Sequence, residues 1–210
     1  MNFWVASFIS IFTLFSAPKP STSGFEGKVS LLEVTPYDTT KINLYVRGDD
    51  VRIEIFDGDN ELLRSTLVDL KSREVILVSQ KEHAYLIPSS QRPYAANLTI
   101  NKSENNKMVD GIKCYQWRVK QSSNRDESAF WVAQIRMDFF DKLLSIYDPT
   151  ESNIRAFLKI PEHSGYFPLV YEERTFLRQE KVRIMVKEIK QTKLEKNLFE
   201  IPGSYTQIRS

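Results

Sequence analysis

Residues 165–205 read GYFPLVYEERTFLRQEKVRIMVKEIKQTKLEKNLFEIPGSY, and this stretch decides the fold. Val182, Ile184 and Val186 alternate with Lys181, Arg183 and Lys187, with Met185 among the latter. A period of two puts the apolar set on one face and the basic set on the other, the pattern of a half-buried antiparallel strand. Tyr166 to Phe176 reads as the strand before it, and Leu177 to Glu180 as the turn between them. Pro202-Gly203 ends regular structure, because proline donates no ladder hydrogen bond and glycine weakens strands. The basic face is either a docking surface or a solvated sheet face. Glu180 and Glu188 among the Lys and Arg favour the second.

The same alternation runs through the first half of the chain. Lys41 to Arg47 places Ile42, Leu44 and Val46 on one face, Gly48 to Asp50 is a hairpin turn, and Val51, Ile53 and Ile55 continue the pattern. Asp57 to Asn60 turns the chain again. Phe25 to Val34 reads as the first strand, and its change of phase between Val29/Leu31 and Leu32/Val34 predicts a bulge. Further strands are expected at Glu61 to Leu70, Arg73 to Ser79, Ala84 to Pro88, Gly111 to Lys120 and Glu127 to Ile135, with polar loop at 89–110. Val75 to Val78 is apolar on both faces, so that strand is expected to be covered on both sides.

A helix follows. Asp138 is placed to cap it, and Phe139, Phe140, Leu143, Leu144 and Tyr147 recur at spacings of three and four before Asp148-Pro149 stops it. Thr150 is placed to cap a second, shorter helix with Ile154, Phe157 and Leu158 as its stripe, ending at Pro161. The fold class is therefore mainly β (α+β), with about nine to eleven antiparallel strands and a late helix pair. An apolar helix stripe must be buried. The concave face of a curved sheet is the place for it, which gives a half-open barrel with a helical plug.

Composition narrows the function. The 29 basic and 27 acidic residues of the 210 nearly cancel, which argues against a nucleic-acid partner. Phe3 to Ala17 is charge-free, long enough for a signal-peptide core and short for a membrane span. Residues 1–24 read as signal peptide and leader, and 25–210 as one domain, periplasmic or secreted, with no stable transmembrane span after processing. No cysteine stands near that junction to take a lipid anchor. Cys114, the only cysteine, sits in an alternating strand pattern and reads as a buried core thiol. His83 and His163 lie in polar turns, and Glu172 and Glu173 point to opposite faces of a strand. Asp57 to Asn60 opens like a calcium loop, but Leu62 and Val68 stand where such a loop needs Gly and Glu. No catalytic motif, metal site or cofactor site is expected, and the chain reads as non-enzymatic.

Four short motifs, in order, carry a family resemblance: Gly111-Ile-Lys-Cys114, Phe130-Trp-Val-Ala-Gln-Ile135, Gly165-Tyr-Phe-Pro-Leu169 and Leu198-Phe-Glu-Ile-Pro-Gly-Ser-Tyr205. The chain from about Gly27 to Tyr205 resembles an uncharacterised domain-of-unknown-function family of small secreted bacterial proteins. The fold of that family is similar to that of LolA-type lipoprotein carriers. Its last motif usually reads Pro-x-Gly-Tyr, where this chain has Pro202-Gly-Ser-Tyr205. The resemblance implies an envelope location and a hydrophobic ligand, and brings no catalytic residues.

Two functions follow as expectations. One is binding of a lipid, acyl chain or lipoprotein between a sheet face of Ile42, Leu44, Val46, Val51, Ile53 and Ile55 and a helix stripe of Phe139, Phe140, Leu143 and Leu144. The other is an envelope protein–protein interaction module with a filled core and no small ligand. The first needs a void lined by these side chains; the second needs a packed interior.

Overall fold

The structure, a computed structural model, describes residues 24–88, 98–121, 127–147, 157–158, 160, 165–175 and 177–208. Residues 1–23 of the expected leader, most of the second helix, and His163 lie outside them.

The described strands form one curved, unclosed sheet. In chain order they are β1 (Gly27–Val34), β2 (Thr39–Arg47), β3 (Asp50–Phe56), β4 (Leu62–Asp69), β5 (Glu74–Ser79), β6 (Ala84–Leu86), β7 (Leu98–Val109), β8 (Ile112–Gln121), β9 (Glu127–Ala133), β10 (Phe167–Arg174), β11 (Glu180–Gln191) and β12 (Thr206–Ile208). The sheet order is β12-β6-β5-β4-β3-β2-β1-β11-β10-β9-β8-β7. Every pairing is antiparallel except that of β12 with β6. Helix α1 (Asp138–Ile146) follows β9. The expected class, a mainly β half-open barrel with a late helix, is the architecture present; α1 follows nine strands rather than the expected eight, because residues 98–109 add one.

Register explains the two faces. Ile42 pairs with Ile55, Leu44 with Ile53 and Val46 with Val51, so all six share one face. Val29 and Leu31 join them from β1, and Val182, Ile184 and Val186 from β11. This inner face and the stripe of α1 form one apolar cluster. The outer face carries the intervening residues.

Curvature comes from extra residues at register shifts. Lys187 is the extra residue on β11 opposite Ser30/Leu31, Leu169 on β10 opposite Val132/Trp131, and Leu63 on β4 opposite Ile55/Phe56. Each bulge bends its strand and increases the local twist. The bulge expected in the first strand is thus on its partner. β1 keeps strict alternation, and Glu33 rather than Leu32 or Val34 faces inward, buried beside Ile184.

Close approach at the β1–β11 junction requires Gly27. Its φ is +152°, and a Cβ there would overlap the carbonyl oxygen of Lys190.

Three further expectations are corrected. Residues 98–109 are a strand, not loop; β7 is the sheet edge, and an edge strand can be polar because one of its sides meets water. Pro202-Gly203 does not end regular structure, since β12 follows it. Met137, not Asp138, occupies the helix cap position; Asp138 opens the helix and its carboxylate pairs with Arg136 at 2.6 Å. The doubly apolar strand β5 is covered on both sides as expected, with Val75 buried on the inner face and Val78 on the outer face.

The outer cover is the C-terminal segment. From β11 it runs back over the outer face through a short 3-10 turn (Lys196–Phe199) to β12. Leu194 N–H donates to Glu26 Oε1 at 3.0 Å, Arg52 Nη1 donates to the Leu198 carbonyl at 3.0 Å, and the Tyr205 ring stands edge-on to His83, centroids 5.4 Å apart. Leu194, Leu198, Phe199, Ile201 and Tyr205 are half-buried by this course.

Candidate functional site

The sequence-predicted lining residues are brought together, and the chain itself covers them. Ile42, Leu44 and Val46 have 0% of their surface exposed, and Val51, Ile53, Ile55, Phe139, Phe140 and Leu143 are also buried. Leu144 is only half-buried against the cluster, while Ile146, which the stripe reading omitted, is buried. Phe140 stands edge-on to Phe167 with centroids 4.9 Å apart, and Phe157 meets both rings at 6.4 Å. Phe25 adds a ring 5.7 Å from Phe139. Edge-to-face pairs of this kind add to burial because a positive ring edge meets a negative face.

Helix α1 is tied to the turns at one end of the sheet. Lys142 Nζ is 2.7 Å from Asp49 Oδ1 in the β2–β3 turn. Arg73, in the β4–β5 turn, donates to the Ser145 carbonyl at 2.9 Å. A cation at the last helical carbonyls also suits the negative end of the helix dipole. Asp69 holds the β4–β5 turn by accepting from Lys71 N–H and Ser72 N–H at 2.7 and 3.0 Å; these donors, Ser72 first, keep its carboxyl below the usual range.

Polar groups interrupt the inner face at the opposite end. Glu33 is buried there, and the Tyr171 hydroxyl lies 3.3 Å from Ser128 Oγ and donates to Glu173 Oε2 at 2.8 Å. Lys181 closes this chain on Glu173 Oε1 at 2.6 Å. Sequence reading missed Glu33 because the bulge was assigned to the wrong strand.

The outer face holds a second buried network, under the C-terminal segment. Ser30 Oγ donates to Asn43 Oδ1 at 3.0 Å, Asn43 Nδ2 reaches the Tyr45 hydroxyl at 3.5 Å, and Arg52 Nε pairs with Glu54 Oε1 at 2.7 Å. Burial, and after it Glu54, pushes the Tyr45 phenol up. The only sequence signal for this network was polar residues in the outward phase of strong strands.

The groups weighed for chemistry are placed apart. His83 is exposed in the β5–β6 turn. The Cys114 thiol is buried on β8, and burial raises it to about 11. Glu172 meets Lys107, Arg174 and Arg183 on the outer face at 3.8, 3.4 and 3.8 Å, while Glu173 serves Tyr171 and Lys181. Arg183 also pairs with Glu180 at 2.6 Å, so Lys181 and Arg183 of the basic face are offset by carboxylates. Asp57 Oδ1 accepts from Asp59 N–H and Glu61 N–H, as the turn reading required. Among the described residues no group of three or more His, Cys, Asp or Glu is placed to hold a metal ion, and no helix is long and apolar enough to cross a membrane.

Several solved structures superpose on the chain at low sequence identity. An uncharacterized conserved protein from Thermus thermophilus superposes with a TM-score of 0.56 at 11% identity, over 87% of this chain and 89% of that one. MucB, solved in complex with MucA(peri), gives 0.44 at 9% identity over 85% of this chain and 54% of its own. A DUF1329 family protein from Desulfovibrio piger ATCC 29098 gives 0.36 at 14% identity over 84% and 90%. No curated protein matches the chain. The four motifs, by contrast, fall at the start of β8, the end of β9, the start of β10 and along the outer segment, and the span that contains them is recognised as a unit. Residues 25–205 match the DUF4412 domain of unknown function, and the chain belongs to that family.

Proposed function

We propose that this chain is a non-enzymatic binding module of the bacterial cell envelope, with the half-barrel as a filled scaffold and a protein as its partner. The observation that supports this reading is the complete cover of Ile42, Leu44 and Val46 by the chain's own atoms. A side chain lining a void wide enough for an acyl chain keeps accessible surface, and these keep none. The envelope assignment rests on the charge-free run Phe3 to Ala17 and on the family resemblance. Absence of catalysis is part of the proposal: Cys114 is held as a neutral thiol, and a nucleophilic cysteine needs the thiolate.

A second reading, a hydrophobic cargo between the sheet and α1, is favoured by the attachment of the helix. The Lys142–Asp49 pair is exposed at both ends, and such pairs contribute about 0–1 kcal/mol. Lifting α1 would expose Phe139, Phe140, Leu143 and Ile146 at about 1.5–3 kcal/mol each, a cost near the stability of a whole domain. An acyl chain of about sixteen carbons returns roughly 13 kcal/mol gross, so cargo would have to replace the helix contacts almost completely. Titration with a fluorescent fatty acid separates the two. The filled-scaffold reading expects no saturable uptake; saturable uptake at one probe per chain would overturn it in favour of the carrier.

A further inference from the structure

The two edges of the sheet are built differently. At one edge, β7 carries Lys102 and Lys107 among asparagines, and its register slips between Lys102 and Asn106. Charges and bulges of this kind keep an edge from recruiting another strand. The other edge strand core, Ala84-Tyr85-Leu86 of β6, is uncharged and regular, and the chain's own tail covers it. Thr206 lies beside Ala84, Gln207 beside Tyr85 and Ile208 beside Leu86, the one parallel pairing among the described strands.

The tail strand is weakly held. No hairpin delivers β12; it arrives after the long crossing of the outer face. All three of its residues are exposed, Ile208 by 52%, so main-chain hydrogen bonds carry the pairing with little apolar burial. Tyr205, edge-on to His83, anchors the crossing segment just before β12 begins. The family match stops at Tyr205, which leaves β12 outside the segment that defines the domain.

We infer that the β6 edge is an acceptor site for an extended segment of a protein partner, and that residues 206–208 fill this site in cis. The incoming strand runs parallel to β6. It is uncharged over at least the three paired residues and carries an apolar side chain beside Leu86, where Ile208 stands. Strand addition takes its affinity from main-chain hydrogen bonds and its selectivity from alternate side chains. A tethered occupant competes at an effective concentration in the millimolar range, so the site is masked until the tail leaves. The inference rests on the reading of the chain as a protein-binding module and names the surface that reading requires.

The probe is a fluorescein-labelled synthetic peptide of residues 204–210. A chain ending at Tyr205 that melts like the full chain should bind it saturably and at least about tenfold more tightly than the full chain does. The same peptide carrying Thr206→Pro should not bind, because proline removes the N–H that donates to the His83 carbonyl at 3.0 Å. Equal or absent binding by the two chains overturns the inference. Should the shortened chain fail to melt cooperatively, hydrogen exchange on the full chain decides. Exchange of the Thr206 and Ile208 amides, the two that face β6, by local opening, about a hundredfold or more faster than that of Ile184, supports the site, and exchange only on global unfolding overturns it. Fatty-acid uptake would remove the module reading and leave the peptide result standing; a failed peptide titration removes only this edge site.

Discussion

The guanidinium of Arg52 donates to the carbonyl oxygen of Leu198 across 3.0 Å, joining residues 146 positions apart in the chain. Through the same group Arg52 also holds Glu54 at 2.7 Å. One side chain on an inner strand of the sheet thus neutralises a buried carboxylate and fastens the segment that buries it. Arg52→Ala should cost about 2–3 kcal/mol in urea unfolding, because it strands Glu54 and frees a main-chain acceptor. Arg52→Lys should restore part of this, since an ammonium supplies charge without the planar fork. Limited proteolysis of Arg52→Ala should cut first within residues 192–205. A loss below about 0.5 kcal/mol with no new cleavage there would show that the segment is held by other contacts.

Gly27 and Gly48 offer a matched comparison of backbone effects. Both have positive φ, +152° and +62°, but only at Gly27 would a Cβ meet backbone, the carbonyl of Lys190. Gly48→Ala should cost about 1 kcal/mol, the ordinary left-handed penalty. Gly27→Ala should cost about 3 kcal/mol or more, because the β1–β11 pairing must open to admit the methyl. Thermal melts of the two variants check the order, and equal losses would contradict the close approach.

Neighbouring positions on α1 separate core from rim. Leu143 is fully buried and Leu144 half-buried. Leu143→Ala should lose about 3–4 kcal/mol and Leu144→Ala about 1 kcal/mol by denaturant unfolding. Reversal of that order would mean that the helix is rotated about its axis.

These examples also show what was legible in the sequence. Ile42, Leu44, Val46, Val51, Ile53 and Ile55 were readable as one face because a strand has a period of two and their hairpin turn keeps register. The helix was readable from its apolar spacing, but Leu144 and Ile146 lie at the margins of the stripe, where one residue of rotation decides burial. β7 was not legible, since an edge strand needs no apolar row, and β12 was not, since three exposed residues leave no pattern. Lys187 is the extra residue of the β1–β11 ladder, on the partner strand; that placement depends on pairing, which no single strand reveals. The outer course of residues 192–205 depends on Arg52, Glu26 and His83, all remote in sequence.

Cys114 supplies a pH test. Burial raises its thiol from 9.0 to about 11, so the folded state disfavours the thiolate relative to the unfolded chain. The stability this contributes is fully present below pH 9 and is lost as pH rises from about 9 towards 11, as the unfolded chain releases its proton first. Iodoacetamide at about pH 8, below the ordinary thiol range, should label the folded protein far more slowly than the urea-unfolded chain. Cys114→Ala should cost on the order of 1 kcal/mol and flatten the decline of stability above pH 9. Rapid labelling of the folded protein would contradict the burial.

The central claim is that the half-barrel is filled by its own side chains. Native mass spectrometry of the protein purified from its own cells without detergent, followed by organic extraction of the same sample, tests it most directly. The account predicts the mass of the polypeptide alone and no stoichiometric lipid in the extract. One acyl species per chain, in the intact mass and in the extract together, would contradict it.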